Sequence, residues 1–330
     1  MKRLTALLLC LIMLFALTAC SKDESGLRKV TLNEVTRSVF YAPLYVACSK
    51  GFFAEEGLEV DIVTGGGSDA SMTALLSGEA DAALMGPETG IYVTNQGKAD
   101  HPMIIAQLTK RDGSFLLGRE ADGSFDFSKL KGKSIIAGRP GGMPYMTLLY
   151  VLRQHGLEPG SDVEVISNIQ FNLMGGAFES GTGDYVTLFE PTATEVEQAG
   201  KGYILCSIGQ ESGEIPYTAY FANRSYLTAN AGTVQRFTNA IARAQRWVAE
   251  HTDREVAEAI CGQFPDTDLA VLERVCARHR EIDAWNLTPV MEQAALERLE
   301  TVMTTAGQLK QEEWVDFDRL VDNSFAQKAS

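Results

Sequence analysis

Side chains able to do chemistry are scattered in this chain, and their spacing excludes most reactions. The four histidines, His101, His155, His251 and His279, lie far apart, in turns or on helix surfaces. No HExxH, GxSxG or GxxxxGK[ST] pattern occurs, and no Cys/His spacing suits a metal. Acid pairs such as Glu55-Glu56 read as solvated helix ends. No catalytic residue, metal site or cofactor is therefore expected. What recurs is a glycine-bearing turn between a strand and a helix: Gly65-Gly66-Gly67-Ser68, Gly86-Pro87-Glu88-Thr89 and Gly138-Arg139-Pro140-Gly141-Gly142-Met143. In α/β units, ligands collect where strands end and helices begin, because backbone N–H groups are free there. The turns thus offer Gly66, Gly67, Ser68, Pro87, Glu88, Thr89, Arg139, Gly141, Gly142 and Met143 as candidate contacts. Arg139 could grip a carboxylate or sulfonate with two N–H groups, or pair with a surface acid.

The elements holding these turns are legible from periodicity. Leu58, Val60 and Ile62 alternate with Glu59 and Asp61, which predicts a buried strand. Ser68 or Asp69 can cap a helix with Met72, Leu75 and Leu76 inward. Residues 81–85 run as the next strand. Further strands are expected over 29–35, 103–108, 114–118, 134–137, 163–166, 201–207 and 217–222. A helix is predicted over 145–154. From Thr233 the chain turns helical, with Val234, Phe237, Ile241, Ala244 and Val248 on one stripe and Arg236, Arg243 and Arg246 off it. Later helices are predicted over 267–280 and 288–306, and Trp285 between them could reach a cleft or pack between helices. Residues 182–191, ending Leu188-Phe189-Glu190-Pro191, repeat the logic of the segment ending at Glu88, so two similar lobes should face each other. Glu190 would then oppose Glu88, or act as a helix cap.

The formal charge is −14; residues 1–19 hold Lys2 and Arg3 and no acid, so their removal leaves −16. That argues against nucleic acid, whose binding depends on neutralising phosphates. Lys2-Arg3, the apolar run 4–17 and Leu17-Thr18-Ala19-Cys20 fit a lipoprotein signal in which Cys20 is acylated. The run is shorter than the roughly 20 residues a membrane span requires. Acyl chains on Cys20 would tether the chain through the polar segment after it. Of the remaining cysteines, Cys261 and Cys276 could form a disulfide, although buried thiols are favoured for all four.

The ordered pattern YAPLYVACSKGFFAEEGLEVDIV followed by LLSGEADAALMGPE resembles the nitrate/sulfonate/taurine and thiamine-precursor class of ABC-importer binding proteins. Leu130-Lys131-Gly132-Lys133-Ser134-Ile135 matches the element opening that family's second lobe. The resemblance implies an α/β, two-lobed periplasmic-binding-protein type II (Venus flytrap) fold. It also implies a cleft lined by the loop after the first strand, here with Ser38, Phe40 and Tyr41. Together with Glu190 and Trp285 these complete the candidate set. The expected organisation is a signal over 1–19, a tether over 20–28, a first lobe from 29–120 plus 217–330, and a second from 121–216, hinged near Glu211–Pro216. The expected role is a non-enzymatic, monomeric, lipid-anchored receptor on the outer face of the cytoplasmic membrane. It would hand a small solute to a permease and its ATPase. Arg37 or Arg139 would suit a sulfonate or nitrate. Tyr41, Tyr145, Phe171, Phe189 and Trp285 would suit a thiamine-related pyrimidine, and a neutral or weakly charged solute is preferred. The alternatives are an enzyme of the same fold acting on a small heterocycle, or a sensory lipoprotein.

Overall fold

The computed structural model describes residues 26–329. The expected signal and Cys20 lie outside the described residues. In chain order the strands are β1 (Arg28–Glu34), β2 (Leu58–Thr64), β3 (Ala82–Met85), β4 (Pro102–Thr109), β5 (Ser114–Gly118), β6 (Ser134–Ile136), β7 (Glu164–Ile166), β8 (Tyr185–Phe189), β9 (Tyr203–Ser207) and β10 (Thr218–Asn223). They form two five-stranded sheets, ordered β2-β1-β3-β10-β4 and β7-β6-β8-β5-β9. The plan is the same in both. β1 pairs parallel with β2 and β3, and β6 pairs parallel with β7 and β8. The fourth place in each sheet is taken by an antiparallel strand, β10 or β5, that has just crossed from the other sheet.

This plan corrects the expected first boundary. Residues 114–118 were expected in the first lobe, within 29–120, yet β5 pairs with β8 and β9 of the second sheet. An apolar run such as SFLLG declares a buried strand but not its sheet. The crossings are therefore 110–113 and 213–217. They pair with each other, since Ile215 N–H donates to Lys110 O (2.8 Å) and Tyr217 N–H to Thr109 O (3.1 Å). Gly113 belongs here because a Cβ would meet the Phe40 ring at 2.6 Å.

β3 (AALM), a central strand, is buried along its whole length, and so is β4, although it stands at the edge of its sheet. β2 is an edge strand rather than a buried one: Leu58 is buried, Val60 and Ile62 only half so, and Val63 is exposed. The helix Ala231–Glu250 buries the predicted stripe, with Phe237 stacked on Phe53 at 5.2 Å. Arg243 and Arg246 are exposed and Arg236 is half-buried. The late helices are Leu269–Glu281 and Gln293–Thr305, shorter at their starts than expected. All four described cysteines are free thiols; Cys276 is buried, Cys48 and Cys206 half-buried, and Cys261 exposed at a helix end, against the expectation of burial.

Candidate functional site

The carboxyl ends of β1, β2 and β3 face those of β6, β7 and β8 across a cavity of about 490 Å³. It is lined by residues from 35–41, 66–70 and Gly86 of the first lobe. From the second come residues of 138–144, 167–172 and Phe189, with Tyr217 and Thr218 at the crossing. β1 and β6 each sit where the strand order turns back, and ligands bind at such switch points in open α/β sheets. The lobes also touch directly. Ser38 Oγ donates to Glu190 O (2.8 Å), Tyr92 Oη to Gly141 O (3.1 Å), and Arg139 Nη2 pairs with Asp69 Oδ1 (2.8 Å).

Of the candidate residues, Ser38, Phe40, Tyr41, Gly66, Gly67, Ser68, Arg139, Gly142 and Met143 line the cavity. Pro87, Glu88, Thr89, Gly141, Glu190 and Trp285 do not. Thr89 Oγ1 turns back to Gly86 O (2.7 Å), and Pro87 caps the helix Glu88–Thr94. Trp285 Nε1 donates to Phe40 O (3.0 Å), which makes it a prop for the first loop rather than a contact. Glu190 caps its own helix, Thr192–Gln198. It accepts from Thr194 N–H and Oγ1 (both 2.9 Å) and from Arg278 Nη1 (2.7 Å), a residue of the helix Leu269–Glu281. Because it has these three partners and 1% exposure, nothing remains for a ligand. Its carboxyl is still raised above the ordinary range, because burial outweighs the Arg278 charge.

Two helices begin at the cavity on glycine. The helix Ser68–Ser77 starts after Gly67 and the helix Met143–Gln154 after Gly142, neither with a side-chain cap. The expected capping by Ser68 or Asp69 does not occur, since both residues lie inside the helix. The first-turn N–H groups of the helix Ser68–Ser77 are consequently left without a side-chain acceptor at the cleft. Glu88 lies behind this region. It is 1% exposed, and burial pushes its carboxyl up to about 7, against the lowering influence of Arg139 and of the Glu88 and Met143 N–H groups.

His279 also departs from expectation. It is fully buried rather than on a helix surface, with ring centroids 5.4 Å from Phe40 and 5.7 Å from Trp285. Burial, helped by the neighbouring Arg278 charge, holds its imidazole down to about 3, so it packs as a neutral ring under the cavity wall. His101 is likewise buried, bonded to Lys98 O and Arg319 O.

The sequence did not mark Asn168, Gln170, Asn172 or Tyr217. The side-chain amides on 167–172 have no hydrogen-bond partner among the described residues, and they project from an exposed loop into the cavity. Their only sequence signal was position: residues 167–172 follow a strand, as 65–69 do. Phe171 and Phe189 stand 5.5 Å apart, and Phe189 is 5.8 Å from Phe40 and 6.1 Å from Tyr217. The result is an aromatic wall facing a rim of amides. The lining's one cation, Arg139, already holds Asp69.

Residues 39–255 match the family profile described as NMT1/THI5 like. The chain is 46% identical over 318 residues to YtlA of Bacillus subtilis (strain 168), whose name describes a candidate binding protein; the match covers 96% of this chain and 94% of YtlA. It is 27% identical over 221 residues, 63% of each chain, to 4-amino-5-hydroxymethyl-2-methylpyrimidine phosphate synthase of Aspergillus parasiticus. Among solved structures, it resembles the ligand-binding component of an ABC-type import system from Staphylococcus aureus, at TM-score 0.74 and 15% identity over 92% of this chain and 99% of that one. The alkanesulfonate-binding protein SsuA from Xanthomonas axonopodis pv. citri, bound to MOPS, gives TM-score 0.72 and 17% identity over 90% and 98%. These structural likenesses establish the two-lobed periplasmic-binding-protein fold.

Proposed function

Since the chain belongs to the NMT1/THI5-like family, we propose that it is the solute-binding component of an ABC importer. It is held outside the cell by lipid on Cys20 and receives a small organic solute between its lobes. The observation that carries this reading is the convergence of six strand ends on one cavity of about 490 Å³, a volume suited to a small molecule. Closure buries the solute and brings together the surface a permease reads, because only the closed form is stabilised by the guest. The residues proposed to touch it are Ser38, Phe40, Tyr41, Gly66, Gly67, Ser68, Arg139, Gly142 and Met143, joined by Asn168, Gln170, Phe171, Asn172, Phe189 and Tyr217. A flat, neutral or weakly charged heterocycle suits these rings and amides better than nitrate or a sulfonate, for which an uncommitted cation is wanted.

Calorimetric titration with pyrimidines, flavin-like compounds, sulfonates and nitrate tests the reading, with recovery of the solute afterwards. Saturable binding of one class, with the solute recovered intact, is the expected result. Conversion of the solute would favour instead the enzymatic role that the Aspergillus parasiticus relative is named for. Failure of every class to bind would overturn the proposal.

A further inference from the structure

We propose that Asp112 is a positioning residue for the cleft. It acts on a solute only through Tyr217: its carboxylate draws the Tyr217 hydroxyl out of the closed arrangement and so holds the empty lobes apart. This deepens the binding role proposed above and rests on it.

The cluster draws on both lobes. Asp112 lies fully buried in the first crossing and is held to the second lobe. Ser114 N–H of β5 donates to its Oδ1 at 2.6 Å. Its backbone packs on the helix Ile208–Ser212, where a Cβ on Gly209 would stand 2.0 Å from Asp112 O. Thr147, buried on the helix Met143–Gln154 of the same lobe, also faces the carboxyl. Tyr217 belongs to the first lobe. Its N–H donates to Thr109 O of β4 at 3.1 Å, and β10 starts at the next residue. Its hydroxyl faces Asp112, while its ring lines the cavity, 5.7 Å from Phe40 and 6.1 Å from Phe189. Of the Ser114, Thr147 and Tyr217 hydroxyls around Asp112, that of Tyr217 alone comes from the other lobe, so it is the contact that lobe rotation alters.

In the closed form this bonding is unmade. The lobes touch at Ser38, Tyr92 and Arg139. In that arrangement Asp112 Oδ2, Ser114 Oγ, Thr147 Oγ1 and Tyr217 Oη are all buried, and none has a hydrogen-bond partner among the described residues. Orphaned oxygens gathered in one place are costly, a carboxylate oxygen most of all. Burial pushes the Asp112 carboxyl up to about 6, so at pH 8 it is ionised and only accepts. Tyr217 keeps the proton to donate, because burial and the Asp112 charge hold its hydroxyl well above the ordinary tyrosine range. A rotation that brings Oη onto Oδ2 satisfies both atoms. Because the lobes already touch, the rotation left to them is opening. A solute stacked on the Tyr217 ring closes the lobes against this bond, and its apparent affinity falls with the share of chains held open.

The experiment fits X-ray scattering profiles of the empty protein at pH 8 as a mixture of closed and opened lobes. The chains are the unmodified protein, Tyr217→Phe, Asp112→Asn, their combination and Thr147→Val, with circular dichroism and the melting temperature recorded for each. The unmodified chain should be mostly open. Tyr217→Phe keeps the ring, removes the donor and should raise the closed-to-open ratio about tenfold, the worth of one hydrogen bond to a charged group. Asp112→Asn should shift the ratio the same way, and adding Tyr217→Phe to it should change the ratio less than about twofold, since both act on one contact. Thr147→Val removes a hydroxyl within one lobe and should leave the ratio where it is, which separates positioning from a general loosening of the core. A mostly closed unmodified chain, an unchanged ratio in Tyr217→Phe, additive effects in the combination or an equal shift in Thr147→Val would each overturn the proposal. None of these results touches the transport reading, which falls instead if every solute class fails to bind in calorimetry.

Discussion

Replacing Arg278 with alanine should expose how the second lobe is held to the first. The guanidinium reaches from the helix Leu269–Glu281 to Glu190 Oε1 (2.7 Å) and Glu197 Oε2 (2.9 Å). The Glu190 side chain is 0% exposed and that of Arg278 is 21% exposed. Truncation leaves a buried carboxylate with only the Thr194 donors. Removing one partner of a buried pair costs about 3–5 kcal/mol, and water reaching the exposed edge of Arg278 reduces this to about 2–3 kcal/mol here. In a chain of this size that lowers the melting temperature by roughly 3–5 °C. Burial already raises the Glu190 pKa, and loss of Arg278 raises it further. A raised carboxyl makes the folded state bind the proton more tightly than the unfolded one. The variant should therefore be hurt less at pH 5 than at pH 8. Thermal melts of Arg278→Ala, Glu190→Gln and the double variant at both pH values provide the assay. The double variant should recover at least half of the loss, since the orphaned charge is gone. A fall below 1 °C in Arg278→Ala, or no recovery in the double variant, would refute the reasoning.

Asp112 is fully buried at the first crossing, and burial pushes its carboxyl up to about 6 despite the Ser114 N–H. Its contribution to stability should fall by about 2–3 kcal/mol as pH rises from about 4 to about 6 and stay level above. The difference between melts of the unmodified chain and Asp112→Asn across that window measures it, and parallel curves would contradict it. Phe171→Ala removes a half-buried ring from the aromatic wall and should weaken a heterocyclic ligand about tenfold in calorimetry. The melting temperature of the empty protein should barely move. Arg139→Ala breaks an ion pair whose partners are 40% and 71% exposed. The empty protein should lose less than about 1 kcal/mol in urea unfolding.

Much of the scaffold was legible in the amino-acid order. Alternation marked β1 and β2, the three- and four-residue spacing marked the helix Ala231–Glu250, and the glycine turns marked the strand ends that meet at the cavity. These are local signals with a fixed period. What escaped depended on partners distant in the chain. The sheet that β5 joins follows from the crossing geometry, not from SFLLG. Glu190 and Glu88 occupy matching turns, yet Arg278 takes up only the first, and no local pattern distinguishes them. Trp285 was drawn from the cleft by a carbonyl 245 residues earlier. The amides of 167–172 resemble those of any exposed turn until the opposite lobe is in view.

The central claim is that a small guest sits between the two sheets and leaves unchanged. A crystal structure of the chain with a solute that raises its melting temperature tests this most directly. The account predicts the intact solute against Phe40, Phe171 and Phe189, within hydrogen-bond reach of strand ends from both lobes. A solute seated outside the cleft, or present as a reaction product, would contradict it.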